Sequence, residues 1–92
     1  DDAGNSLAGD FTAQAHQSFK NLAATLEEAG GSLKDIVTMT VYIIDVRFGD
    51  EFINIRREYF DDFPASAMIT VAGFAQPEMM VEIQGIAVID DA

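Results

Sequence analysis

The chain has 92 residues, 49% of them hydrophobic and none of them cysteine, so it can form the core of one domain (residues 1–92) but no disulfide, thiolate nucleophile or zinc–cysteine site. Five Lys and Arg oppose 16 Asp and Glu, and the net charge of −11 argues against binding to nucleic acid or to an anionic membrane surface, since both require clustered cations. Because no apolar run is long enough to cross a bilayer and no residue spacing indicates a metal or a cofactor, we expect a soluble, cytoplasmic protein.

The first predicted element, after a polar loop at residues 1–9, is an amphipathic helix over 11–29. Asp10 fits its N-cap, because the carboxylate can accept hydrogen bonds from the unpaired amides of the first turn. Gly30 and Gly31 predict its end, since glycine readily adopts the left-handed conformation that stops a helix. One apolar stripe follows the helical period: Ala15, Phe19, Leu22, Ala23 and Leu26.

A strand, a second helix and two further strands follow in that order. Runs of β-branched and apolar residues predict strands over 35–45, 65–71 and 80–89. The helical spacing of apolar residues predicts a helix over 48–60, which ends before Pro64. The simplest packing lays both helices on one side of the sheet and gives an α+β domain.

Each predicted strand has one apolar face, on which alternate residues point toward the helices. Those residues are Val37, Met39, Val41 and Ile43, then Ala67, Ile69 and Val71, then Val81, Ile83, Gly85, Ala87 and Ile89. The opposite face mixes polar and apolar side chains: Ile36, Thr38, Thr40, Tyr42 and Ile44, then Ser66, Met68 and Thr70, then Glu82, Gln84, Ile86 and Val88. Such a face is too apolar for solvent and too polar for a core, so we expect a second copy of the chain to cover it, with a ligand cleft at the boundary.

Five segments occur in the order typical of a known family. Residues 13–22 (AQAHQSFKNL) match the pattern AQxxQxxxNL, and residues 26–37 (LEEAGGSLKDIV) match LxxAGxSLxDVV. Residues 41–45 (VYIID), 63–66 (FPAS) and 81–88 (VEIQGIAV) match VYLxD, PAR or PAS, and VEIEAIAV. Together these segments resemble the reactive-intermediate deaminase (Rid, YjgF-type) family, many of whose members carry the label L-PSP endoribonuclease.

The resemblance implies a chorismate-mutase-like sheet with two helices packed on one face. It also implies a homotrimer whose sheets form a central barrel, with a small-molecule cleft at each subunit interface. Full-length members begin with a strand pair whose loop reaches the cleft. We expect this chain to lack that N-terminal strand pair, because residues 1–9 show neither the strands nor the aromatic residue of the loop.

The resemblance further implies hydrolysis of reactive enamines and imines to 2-keto acids and ammonia. Glu82 then orients or activates the attacking water, or passes a proton to nitrogen. Ser66 stands where an arginine of the family binds the substrate carboxylate, and Met68 stands where a cysteine is common. Because a serine cannot replace a guanidinium, we expect 2-imino acids to be poor substrates and an uncharged ligand to be favoured.

Three functions stay open from the sequence. The first is a Rid-type deaminase that relies on Glu82, which by itself also fits a solvated or ion-paired surface carboxylate. Its substrate-binding residues are predicted to be Ser66, Met68, Thr70 and Tyr42. The second function is a non-catalytic trimeric protein that binds a ligand or regulates, and the missing arginine favours it. The third is an endoribonuclease. The net charge of −11 counts against it, and so does the lack of a histidine pair, since His16 is the single histidine.

Overall fold

The computed structural model describes residues 9–60 and 65–89 and has the predicted order of elements. The helices are α1 (Phe11–Glu28) and α2 (Gly49–Arg56), and the strands are β1 (Ile36–Ile43), β2 (Ala65–Thr70) and β3 (Val81–Ala87). Helix α2 is shorter than predicted, because the chain passes into turns after Arg56. The predicted loop at residues 1–8 and the helix stop at Pro64 lie outside the described residues.

Both ends of α1 form as their residues predict. The side chain of Asp10 accepts a hydrogen bond from the amide of Ala13 at 3.0 Å, which satisfies one unpaired donor of the first turn. At the other end, Gly30 has a φ of +87°, and the amide of Gly31 donates to the carbonyl of Leu26 at 2.8 Å. This hydrogen-bond pattern is a Schellman motif, which needs the left-handed residue that glycine supplies without strain.

Strand β1 lies at the centre of a mixed three-stranded sheet with the order β2-β1-β3. It pairs in parallel with β2, to which it is connected through α2, and antiparallel with β3. The side chains of Met39, Val41, Ile43 and Val81 point to one face of the sheet and are at most 3% exposed. Both helices pack on that face, so the predicted two-layer α+β fold is confirmed.

Phe19 of α1 is the centre of an aromatic cluster that joins the two helices. Its side chain is fully buried and its ring stacks on Tyr59 and Phe52 at centroid distances of 4.5 and 5.5 Å. Phe60 meets the same ring edge-on at 6.0 Å. Aromatic pairs in these geometries add to the free energy gained by burying their area, so this cluster fixes how α1 sits against α2.

One face prediction for β1 is wrong because the strand contains a β-bulge. The antiparallel register shifts between Ile36 and Thr38, which leaves Val37 as an extra residue opposite β3. Ile36 therefore points into the core and is 6% exposed, whereas Val37 is 51% exposed. The simple alternation of a strand assigns these two residues the other way round, since it takes no account of an inserted residue.

The face prediction for β2 is also wrong. Neighbouring residues in register point to the same side of a sheet, and the register pairs Met39 with Ser66, Val41 with Met68, and Ile43 with Thr70. Since Met39, Val41 and Ile43 are core residues, Ser66, Met68 and Thr70 lie on the helix side, not on the open face. Ala67 and Ile69 occupy the open face instead.

Gln14 on α1 holds the loop that leads into β3. Its Nε2 donates to the carbonyl of Glu78 at 3.0 Å, and its Oε1 accepts from the amide of Met80 at 2.8 Å. We expect Gln14→Leu to lower the free energy of unfolding by about 1–3 kcal/mol, because the half-buried Met80 amide loses its acceptor. Urea unfolding measures the change. Gln17→Leu is the matched control, since among the described residues Gln17 bonds only along α1 to Asn21, at 2.8 Å. Equal losses in both variants would contradict this role for Gln14.

Candidate functional site

The open face of the sheet, opposite the helices, brings Tyr42, Glu82 and Gln84 together. Tyr42 on β1 pairs with Glu82 on β3 in the antiparallel ladder, so their side chains lie side by side. The Tyr42 hydroxyl donates a hydrogen bond to Gln84 Oε1 at 3.3 Å. Glu82 is exposed, so water or a ligand can reach its carboxylate. We refer to these three residues as the Glu82 group.

Two open hollows lie beside the Glu82 group. One has a volume of about 500 Å³ and is lined by Thr38, Met39, Thr40, Gln84, Gly85 and Ile86. The other, of about 260 Å³, lies between α1 and β3 and has Glu82 in its wall. Both are open to solvent on one side. A ligand bound against Glu82 therefore needs a further wall to be enclosed, and a second molecule of the protein is able to supply one.

A second set of side chains, three polar residues and one methionine, lies at β2, on the helix side of the sheet. Nη1 of Arg56, in the last turn of α2, donates a hydrogen bond to Ser66 Oγ at 3.0 Å. Met68 packs against the core, and its sulfur lies 3.5 Å from where a Cβ on Gly49 would stand, at the beginning of α2. Burial of Arg56, and after it the positive charge of Arg57, lowers the pKa of the Arg56 guanidinium. We refer to Arg56, Ser66, Met68 and Thr70 as the β2 group.

The Glu82 group and the β2 group cannot meet within one molecule. They lie on opposite faces of the sheet, and β1 separates β2 from β3. Strands stand about 4.8 Å apart, so the two outer strands are about 10 Å apart in addition to facing opposite ways. Of the predicted site residues, the structure therefore joins Tyr42 to Glu82 and separates both from Ser66, Met68 and Thr70.

Two members of these groups, Gln84 and Arg56, are not among the site residues predicted from the sequence, and only Arg56 has a recognisable signal. It follows Phe52 and precedes Phe60 at four-residue spacing, and both phenylalanines are buried, at 0% and 7% exposure. A charged residue on an otherwise apolar stripe is the signal that could have pointed to it, because such a residue must reach a polar partner from a partly buried position.

His16 makes a structural contact between α1 and the turn after α2, although its place on the polar side of α1 predicts a solvated residue. It is half-buried, and its Nδ1 lies 2.6 Å from the hydroxyl of Tyr59. Burial, and after it the charge of Glu58, raises the pKa of that hydroxyl. The contact ties α1 to the turn after α2 beside the Phe19 cluster.

The described residues offer no metal site and no membrane span. Within residues 9–60 and 65–89, there is no group of three or more His, Asp or Glu side chains that could hold a metal ion. Over the same residues, neither helix is long and apolar enough to cross a bilayer.

Comparison with known proteins shows which family this chain matches. The family described as Endoribonuclease L-PSP matches residues 1–89. A RutC family protein of Pyrococcus abyssi is 32% identical over 87 residues, which cover 94% of this chain and 68% of that protein. A 2-iminobutanoate/2-iminopropanoate deaminase of Salmonella typhimurium is 35% identical over 89 residues, which cover 89% of this chain and 66% of that enzyme. The crystal structure of YyfA, from the conserved Rid protein family of Yersinia pestis, superposes with a TM-score of 0.88 at 30% identity, over 96% of this chain and 71% of that one.

Proposed function

Since the chain belongs to the Endoribonuclease L-PSP family, which includes the Rid proteins, we propose that it is a Rid-type hydrolase that deaminates a reactive enamine or imine. Water adds to the imine carbon, the nitrogen takes up protons, and the resulting carbinolamine expels ammonia and leaves a carbonyl compound. The observation that carries the proposal is the position of Glu82: an exposed carboxylate on the open face, beside Tyr42.

Glu82 supplies the acid–base chemistry in this proposal. A carboxylate can take a proton from the attacking water and give it to the imine nitrogen, then take the hydroxyl proton of the carbinolamine and give it to the leaving amine, so that both protons of the water end on ammonia. Tyr42 and Gln84 flank it and are joined to each other by a hydrogen bond, so they present polar groups at fixed positions around a bound ligand. None of these transfers needs a metal or a cofactor.

The complete site lies between two copies of the chain in a homotrimer. The Glu82 group and the β2 group face opposite ways in one molecule, so a ligand that touches both must be held by the open face of one copy and the β2 edge of another. The open face also carries exposed apolar side chains, with Ile69 at 44% and Ile86 at 63% exposure. Covering such side chains is a general reason for subunits to associate.

Ile86→Asp is therefore expected to convert the assembled protein to monomers, because it places a charge in the buried contact. Light scattering coupled to size-exclusion chromatography gives the mass directly. Val46→Asp is the control, since Val46 is 73% exposed but lies in the turn before α2, away from the open face. An assembly that survives Ile86→Asp, or a wild-type protein that is monomeric, would remove the proposed location of the site.

The activity test uses imines generated in the assay. A dehydratase produces 2-iminobutanoate from threonine, semicarbazide traps the imine, and a hydrolase that competes with the trap lowers the yield of semicarbazone and releases ammonia sooner. A panel of uncharged imines is run in parallel. Acceleration of any of these by the wild-type protein supports the proposal. Binding without acceleration would instead support the non-catalytic ligand-binding function.

Cleavage of RNA is not part of the proposal, although the family is described by that activity. A net charge of −11 repels a polyanion, and the chain has a single histidine, which already bonds to Tyr59.

A further inference from the structure

We infer that the larger hollow on the open face binds an uncharged carboxamide of the substrate, at a distance from the reacting C=N group. The inference rests on the proposed function and names the class of substrate: a neutral imine or enamine that carries a carboxamide. The hollow has a volume of about 500 Å³, and we call it the Thr-Gln hollow after three of its lining residues, Thr38, Thr40 and Gln84. This volume is usual for a small-molecule site, for which about 300–1,000 Å³ is typical.

The strand register places the Thr-Gln hollow directly beside Glu82. On the open face, β1 and β3 set three residue pairs one after another: Tyr42–Glu82, Thr40–Gln84 and Thr38–Ile86. Paired side chains are about 5 Å apart, and successive pairs on one face are about 7 Å apart. A ligand whose C=N group lies at Glu82 therefore reaches the Thr40–Gln84 pair through a chain of about five bonds.

The side chains of the Thr-Gln hollow supply the hydrogen bonds that a carboxamide needs. Gln84 Oε1 accepts from the Tyr42 hydroxyl at 3.3 Å, which orients the Gln84 amide group and leaves its Nε2 to donate to a ligand oxygen. The hydroxyls of Thr38 and Thr40 can accept from the ligand N–H groups, since each hydroxyl oxygen has two lone pairs. The oxygen of a carboxamide thus meets a donor, and its N–H groups meet acceptors.

The charges around the Thr-Gln hollow disfavour a carboxylate. None of its lining residues carries a charge. Glu82 lies one pair further along β3, so a carboxylate in the hollow is repelled by Glu82 and by the net charge of −11 without contacting a cation. The sequence analysis expects an uncharged ligand because of Ser66, and the hollow gives an independent reason for the same expectation.

An alkyl group fits the Thr-Gln hollow less well than a carboxamide. In the proposed assembly a second copy closes over the open face and excludes water. The Thr38 and Thr40 hydroxyls and the Gln84 amide group then lose their water, and an alkyl group gives them no partner in exchange. Polar groups left in this state cost free energy, so the hollow selects a ligand that replaces the lost hydrogen bonds.

Binding of a product-like ketone tests the inference without relying on turnover. The probe is 6-oxoheptanamide, whose chain matches the spacing between the Tyr42–Glu82 and Thr40–Gln84 pairs. Its charged counterpart is 6-oxoheptanoate and its alkyl counterpart is heptan-2-one, and the dissociation constants are read from NMR chemical-shift titration. We expect the wild-type protein to bind the amide about tenfold more tightly than the acid, with the largest shifts at residues of the Thr-Gln hollow.

Two variants remove the hydrogen-bonding groups one at a time. Gln84→Leu keeps much of the side-chain volume but loses the amide group, and we expect it to weaken binding of 6-oxoheptanamide by about 5- to 20-fold while heptan-2-one changes by less than about twofold. Thr40→Val exchanges a hydroxyl for a methyl group and should weaken the amide by about 3- to 10-fold. Gln17→Leu is the matched control, since Gln17 lies on α1, on the other side of the sheet, and its variant should bind all three probes as the wild type does.

Melting curves and light scattering establish that the variants fold and assemble as the wild type does. Equal affinity of the wild type for the amide and the acid would overturn the inference. Amide binding that neither Gln84→Leu nor Thr40→Val weakens, or shifts confined to residues outside the Thr-Gln hollow, would also overturn it. So would a wild-type protein that binds none of the three probes, because the second copy then fills the hollow itself.

The result separates this inference from the proposed function. If 6-oxoheptanamide binds in the Thr-Gln hollow but no imine is hydrolysed, the proposed function fails and the binding site stands. If imines are hydrolysed but the amide is not preferred over the acid, the function stands and the hollow has no part in the choice of substrate.

Discussion

Replacing Glu82 with glutamine is expected to slow imine hydrolysis by about 10²–10⁴-fold, the range usual for loss of a general acid or base. Glutamine keeps the size and the hydrogen-bonding reach of the side chain but cannot take up or release a proton at neutral pH. Because Glu82 is exposed on the open face, the change should leave the fold and the melting temperature nearly unaltered. Turnover in the semicarbazide competition assay measures the loss.

Glu28→Gln is the matched control for this prediction. Glu28 is exposed at the end of α1 and its loss changes the net charge by the same amount, so its variant should hydrolyse imines at the wild-type rate. Equal rates for wild type and Glu82→Gln would remove Glu82 from the chemistry. A proportional loss in both variants would indicate an effect of overall charge.

Replacing Phe19 with alanine is expected to lower the free energy of unfolding by about 3–5 kcal/mol, the range for truncating a buried aromatic residue. The Phe19 side chain is fully buried and contacts three aromatic rings from α2 and the turn after it, at 4.5, 5.5 and 6.0 Å. Its loss leaves a cavity at the joint between the helices. A small domain has only about 5–15 kcal/mol in total, so much of this variant should be unfolded under mild conditions.

Urea unfolding followed by circular dichroism measures this change. Val46→Ala is the control, because Val46 is apolar but 73% exposed, and its truncation should change the free energy of unfolding by less than about 0.5 kcal/mol. A loss below about 1 kcal/mol for Phe19→Ala would mean that the aromatic cluster does not stabilise the packing of α1 on α2.

The helices and strands could be predicted because their signals are local. The period of 3.6 across Ala15, Phe19 and Leu26, the cap at Asp10 and the stop at Gly30 each act within a few residues of sequence. The apolar face of β3 could also be predicted, since its polar residues Glu82 and Gln84 alternate with apolar ones.

The sequence does not predict which face of β2 points to the helices, and the reason is physical. The run Ala-Ser-Ala-Met-Ile-Thr places small or apolar residues on both of its sides, so alternation gives no preference for either face. The register of β2 with β1 determines its orientation and places Ser66, Met68 and Thr70 on the helix side. The bulge at Val37 is likewise a property of strand pairing, which the residues of β1 alone do not reveal.

The sequence by itself determined the elements, their order, the family resemblance and the candidate carboxylate at position 82, because each depends on residues close together in the chain or on short segments that match the family's patterns. Only the tertiary structure decided that Glu82 and Ser66 face opposite ways and that Arg56 reaches Ser66, since these facts depend on strand register and on how α2 lies against β2. Contacts between residues distant in sequence follow from packing, and packing has no signature in the local pattern of residue types.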